Sequence, residues 1–379
     1  MKKIYLDNAA TTPIDKEVIE VMHTSMQENF GNPSSTHQFG RFAKASVESA
    51  RKNIAKHFNV SASEIIFTAG GTEADNLILH NAIINLDVKR IITSKVEHHA
   101  VLHTVKYLQK MHNINVDFVD IDANGDVDLN HLEQLLEENQ IEKCLVSLMY
   151  VNNEIGNLLP IDTVSELCKK YNALFHSDTV QAIGHYQIDL QKTPIDFIAA
   201  SAHKFHGPKG VGFAYFKKGF GIAPMLHGGA QEKGARSSTE NVHSILGMEK
   251  ALEIAISSIE KDTVYISELK KYFISELQSN FKNIAFNGNS ESLEKSSYTI
   301  LNVRFSNAND MLLFSLDLNG IAVSGGSACQ SGSSKGSHVL EEILAKTEAD
   351  KTSVRFSFSK NTTKQEIDST IIKLKELLI

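Results

Sequence analysis

Between Glu64 and Ala200 short apolar runs alternate with longer amphipathic stretches. The runs Glu64–Phe67, Arg90–Thr93, Val116–Val119, Lys143–Met149, Ala173–Phe175 and Ile195–Ala200 have the length of strands. The segments Glu73–Ile84, Ala100–Met111, Leu129–Glu138 and Thr163–Tyr171 space their apolar residues as helices do. Parallel strands need a crossover, and a helix supplies it, so this alternation predicts an α/β fold with a mostly parallel sheet covered by helices. Val211–Phe216 follows its predecessor without a crossover helix and is expected as a seventh, antiparallel strand.

The flanks read differently. Residues 1–13 form an extended arm that closes in Asn8-Ala-Ala-Thr-Thr-Pro13. Asp15–Glu28 and Gln38–Phe58 are helical, separated by Phe30-Gly-Asn-Pro-Ser-Ser35, whose Gly, Asn and Pro break the pattern. Asn241–Glu260 opens a helical region that continues, straight or kinked, to Asn280. Thr299–Phe305, a helix at Asn309–Leu318, Ile321–Val323, Ser353–Ser357 and a helix from Lys364 suggest a smaller α+β unit, with the N-terminal arm beside it. At 379 residues the chain exceeds the size of a single growing core. The expected division is a large domain, 14–258, and a small one, 1–13 with 259–379.

Composition narrows the function classes. A net charge of −7 argues against a nucleic-acid surface, which favours a basic face. No apolar run reaches 18 residues, so no membrane span is indicated. Met1-Lys-Lys-Ile-Tyr-Leu-Asp7 lacks the apolar core of a signal peptide, and three cysteines do not make a disulfide framework. Cytoplasm is the expected compartment.

Chemistry-bearing residues gather just after strands, where α/β sheets hold ligands: Gly70-Gly-Thr72, Asn152-Asn-Glu154, Asp178 and Lys204. A lysine and a carboxylate on neighbouring strand ends are what pyridoxal phosphate (PLP) requires, the lysine for a Schiff base and the acid for the pyridinium nitrogen. Thr68-Ala-Gly-Gly-Thr-Glu73 opens a helix and reads either as a phosphate cradle or as a helix capped by Thr72. Of His98 and His99, one reads as stacking on a cofactor ring or moving protons and the other as a cap or surface residue; a metal site is the weaker reading. Cys144 and Cys168 sit in apolar elements and read as small hydrophobes. Cys329 lies in Ser324-Gly-Gly-Ser-Ala-Cys-Gln-Ser-Gly-Ser-Ser-Lys-Gly336, too small-residued to pack a core, and is a nucleophile candidate. Arg355 alternates with apolar residues, outward and solvated or aimed inward at a carboxylate.

As a set, the motifs resemble the NifS/IscS-like cysteine desulfurases, class V members of the PLP-dependent aminotransferase fold. The resemblance rests on Tyr5-Leu-Asp-Asn-Ala-Ala-Thr-Thr-Pro13, Phe30-Gly-Asn-Pro-Ser-Ser35, Phe67-Thr-Ala-Gly-Gly-Thr-Glu73 and Val151-Asn-Asn-Glu-Ile-Gly156. It continues through Ala202-His-Lys204, His227-Gly-Gly229, Arg236-Ser-Ser-Thr239 and Gly326-Ser-Ala-Cys329. It implies that Lys204 is the Schiff-base lysine and the base at Cα, that Asp178 pairs with the ring nitrogen, that Gln181 bonds the ring hydroxyl and that His98 stacks on the ring. Gly71, Thr72, Ser201 and His203 would hold the phosphate, joined by Thr239 from the other subunit of a homodimer with shared sites. Asn153, also a cofactor contact, and Arg355 would grip the substrate carboxylate. Cys329 would attack the sulfur of bound L-cysteine, leaving alanine and a persulfide for an acceptor protein, either an iron–sulfur scaffold or a tRNA-thiolation protein. Transient iron–sulfur ligation at Cys329 is the single metal role implied.

The chain departs from the family pattern at Lys335-Gly336, where relatives commonly carry Glu-Pro, at Ser238 within Arg-Ser-Gly-Thr, and at Ser359-Lys360 in place of Gly-Arg. It is also expected to lack the C-terminal extension through which some relatives dock a scaffold. Two other readings stand beside the main one. They are a selenocysteine lyase on the same scaffold and a PLP-fold protein whose role is sulfur-carrier binding or regulation.

Overall fold

The structure, a computed structural model, describes residues 3–378 except 139–140, 310 and 326–335. Its N-terminal arm contains β1 (Ile4–Tyr5), followed by α1 (Lys16–Glu28) and α2 (Gln38–His57). Strands and helices then alternate as β2 (Ile65–Thr68), α3 (Gly71–Ile84), β3 (Arg90–Thr93), α4 (His99–His112), β4 (Asn115–Phe118), α5 (Leu129–Glu138), β5 (Cys144–Ser147), α6 (Ile161–Lys170), β6 (Leu174–Asp178), β7 (Phe197–Ser201) and β8 (Gly212–Phe216). A 39-residue helix, α7 (Val242–Asn280), leads to β9 (Ile284–Phe286), β10 (Ile300–Phe305), α8 (Leu312–Leu318) and β11 (Ile321–Ala322). The chain ends with α9 (His338–Ile343), α10 (Lys346–Ala349), β12 (Ser353–Ser357) and α11 (Lys364–Leu378).

Among the described residues β2 to β8 form one seven-stranded sheet in the order β2-β8-β7-β6-β5-β3-β4. β8 alone runs against its neighbours, as the missing crossover helix requires. Side chains of one strand point alternately to the two faces, and both faces are covered. Ile65 and Phe67 face the core under α1, α2, α5 and α6, whereas Ile66 faces the core under α3 and α4. Ile198 and Ala200 of β7 divide from Phe197 and Ala199 in the same way. Two-sided burial explains why these strands read as unbroken apolar runs. β4 lies at the sheet edge, and its exposed Asn115 and Phe118 reflect that place.

A second core gathers Ile4 and Leu6 of the arm, the later turns of α7 (Ile266, Leu269, Phe273, Leu277), and the antiparallel sheet β12-β10-β9 with α8 and α11. The arm is expected beside this part, and β1 pairs in parallel with β11, Ile4 opposite Ile321. α7 runs uninterrupted for roughly 60 Å and joins the two cores. Its one glycine, Gly247, lies near the start and packs against Met22.

Candidate active site

Parallel strands bring their carboxyl ends to one edge of the sheet. β6 ends in Asp178, which lies opposite Ala199 of β7, and β7 ends in Ser201. A single tight turn, Ala202–Lys204, follows, and Lys204 lines the same cavity of about 850 Å³ as Asp178. Gln181, three residues past Asp178, is there too, and so are Ser201 and His203. Lys204 Nζ donates to the carbonyls of Ala9 (2.6 Å) and Ala10 (3.0 Å), and Gln181 Nε2 donates to Ala9 (2.9 Å). The N-terminal arm therefore closes one side of the cavity, fixed further by the Thr12 N–H and hydroxyl on the His203 carbonyl.

Burial sets the charges. Asp178 is 5% exposed, and its pKa is raised to about 6 by burial against the opposing pull of the Val180 N–H and of Lys204. Burial, then Lys204, lowers His98 and His203 to about 4, so both rings are neutral near pH 7. His98 is the N-cap of α4, its Nδ1 accepting from the Ala100 N–H at 3.1 Å, and it also lines the cavity. His99 lines the cavity as well and stacks on His103, with ring centroids 4.7 Å apart, so both histidines reach the cavity and the cap falls to His98.

Gly71 and Thr72 also line the cavity, at the N-terminus of α3. The cap there is Gly70, at φ +153° where a side chain is strained, not Thr72, which sits inside the first turn. A Cβ on Gly71 would come within 2.5 Å of Val180 Cγ2. With no side-chain cap, the first turn of α3 leaves backbone N–H groups for a ligand at the cavity wall. Glu73 accepts from the Ala69 N–H and takes a bidentate contact from Arg236. Thr239 does not line this cavity; it is exposed beside Arg236 and Ser238 in a separate pocket.

Arg355 and Asn153 line the remaining side. The Arg355 side chain is 2% exposed and inward, donating from Nη1 to the Asn153 carbonyl (2.6 Å) and from Nη2 to Asp7 (2.9 Å). Its Nε has no hydrogen-bond partner among the described residues. Asp7 carries no signal of this in the sequence, since it stands 348 residues away.

Cys329 lies outside the described residues. The described residues on both sides of its segment are bonded to the cavity wall. Ser324 exchanges backbone hydrogen bonds with Arg355, while Ser337 Oγ donates to Glu154 and His338 Nε2 contacts the Glu97 carbonyl. Cys144 and Cys168 are buried, as expected, and burial pushes the Cys144 thiol up to about 12 and raises Cys168 too. Neither offers a thiolate near neutral pH.

A lysine and a buried acid at adjoining strand ends of this sheet define an α/β enzyme of the PLP-dependent transferase class. The aminotransferase class-V family matches residues 4–370. The cysteine desulfurase IscS of Dictyoglomus turgidum is 42% identical over all of this chain and 95% of its own. A solved NifS-like protein superposes with a TM-score of 0.90 at 37% identity, covering 100% of this chain and 99% of that one. A structure described as SspA in complex with cysteine has a TM-score of 0.80 at 29% identity, covering 96% and 100%. The chain belongs to the class-V aminotransferase family, among its cysteine desulfurases, which are PLP-dependent enzymes.

The residues present fit that cofactor. Asp178 is a buried acid lining the cavity, and Gly71 brings backbone to the cavity wall where a Cβ would collide with Val180. His98 offers a neutral ring on the same wall.

Proposed function

We propose that this chain converts L-cysteine to L-alanine and takes the sulfur on Cys329 as a persulfide. The reading is carried by one cavity that holds Asp178, Lys204 and Arg355, with both described flanks of the Cys329 segment bonded to its wall. Lys204 would anchor PLP, Asp178 would meet its ring nitrogen, Gln181 its hydroxyl and His98 its ring face. Gly71, Thr72, Ser201 and His203 would hold the phosphate, and Thr239 would reach it from the partner subunit of a homodimer. When bound, the cofactor supplies an electron sink beside the substrate's Cα.

The chain's own groups do the rest. Arg355 and Asn153 receive the substrate carboxylate, the guanidinium supplying charge-assisted donors from the cavity wall. Lys204 removes and returns a proton at Cα. The Cys329 thiolate bonds to the substrate sulfur; the carbon–sulfur bond breaks, its electron pair stays on Cβ, and Cβ takes up a proton. The same reading places the chain in the cytoplasm, with the large unit at 14–258 supplying the cofactor site and the small one supplying the cysteine. The persulfide then passes to an acceptor protein, an iron–sulfur scaffold or a thiolation protein.

Incubation of the PLP-loaded protein with L-cysteine and a thiol reductant should release alanine and sulfide in equal amounts. Alanine from L-selenocysteine but none from L-cysteine would overturn the assignment.

A further inference from the structure

Behind the cavity lies a buried row of polar side chains that the chemistry above does not use. Asp75, in the second turn of α3, lines the cavity with Asp178 and is 1% exposed. Its Oδ1 lies 3.3 Å from Nε2 of His176, which is fully buried, and Nδ1 of His176 lies 2.9 Å from Ser147 Oγ. His176 and Asp178 are two residues apart on β6, so both side chains leave the same face of the sheet.

Asp75 Oδ1 and His176 Nε2 have no hydrogen-bond partner among the described residues, and the 3.3 Å between them is a close contact, not a formed hydrogen bond. An ionised acid and an unprotonated ring nitrogen would set two acceptors against each other in a dry interior, whereas one proton between them satisfies both. The acid also faces two further carboxyls, Asp178 from β6 and Glu97 from the loop before α4, with Lys204 across the cavity. Burial, then Asp178 and Glu97, pushes the Asp75 carboxyl well above the usual range, and burial lowers His176 to about 3.

We propose that Asp75 remains protonated at neutral pH and donates to His176 Nε2, so that Asp178 alone carries negative charge at the cofactor's ring nitrogen. His176 in turn donates from Nδ1 to Ser147. Two adjacent buried carboxyls do not both ionise readily, and the Asp75–His176–Ser147 row settles which one keeps the proton. Asp75 is thus a positioning residue that acts through Asp178. The inference rests on the PLP reading, but its first test does not require the cofactor.

The infrared difference spectrum of cofactor-free protein at neutral pH, wild type minus Asp75→Asn, should show the carbonyl stretch of a protonated carboxyl. Asp178→Asn should keep that band. Carboxylate bands alone would overturn the proposal while leaving the PLP reading intact. The second test is PLP affinity by equilibrium titration. Asp75→Asn, whose amide still donates to His176, should bind within about threefold of wild type, and Asp75→Leu, which strands the His176 acceptor, at least about tenfold more weakly. Equal weakening in both variants, or none in Asp75→Leu, would contradict it. A wild type that binds no PLP would instead defeat the functional reading.

Discussion

Asp178 shows what one buried acid costs and supplies. Burial raises its pKa from 3.8 to about 6, so the native apoprotein binds a proton that the unfolded chain has released between those pH values. Stability contributed by this group therefore falls as pH rises from about 4 to 6, and the cost is fully in place above that range. Asp178→Asn is predicted to stabilise the apoprotein by about 1–3 kcal/mol at neutral pH and by little at pH 4, while weakening PLP binding. Thermal unfolding at the two pH values and a PLP titration check both halves; a neutral-pH loss of stability would contradict the sign. Lys204 and Asp178 were legible because each follows an apolar run that can only be a buried strand. The carbonyls of Ala9 and Ala10, which hold the Lys204 ammonium, were not, since backbone acceptors leave no mark in residue type. Nor was the direction of Arg355, because alternation along β12 does not tell an outer face from a cavity wall.

At the scale of elements, α3 and the turn before it make the cradle. Gly71→Ala places a methyl 2.5 Å from Val180 Cγ2, and Val180 lines the cavity two residues past Asp178. Accommodating it shifts Val180 or the first turn of α3, at a cost of about 1–3 kcal/mol of stability. The predicted result is a lower melting temperature together with weaker PLP binding; unchanged values for both would show that the turn is not the cradle. The strand and helix alternation was readable over this whole region, because two-sided burial and amphipathic covering give distinct periods. The misses are short. β9 is three half-buried residues at a sheet edge, and α9 and α10 are six and four residues long, too brief to display a period. α7 left a kink open, and it continues as one helix because neither proline nor glycine follows Gly247 to interrupt the hydrogen-bond ladder.

Across the whole molecule, the N-terminal arm ties distant parts together. It adds Ile4 and Leu6 to the second core, pairs with β11, bonds Lys204 and holds Arg355 through Asp7. Asp7→Asn leaves a buried guanidinium without its counter-charge, which should cost about 2–4 kcal/mol and raise KM for L-cysteine more than it lowers kcat. Steady-state kinetics alongside chemical denaturation measures both, and an unchanged KM would detach Arg355 from substrate binding. Such contacts span most of the chain, so no local pattern announces them. Sulfur transfer to Cys329 is tested most directly by non-reducing mass spectrometry of the PLP-loaded protein after L-cysteine, with Cys329→Ser beside wild type. The wild-type peptide containing Cys329 should gain one sulfur atom, and the variant should gain none anywhere. Sulfur on Cys144 or Cys168, or a persulfide that persists in Cys329→Ser, would contradict it.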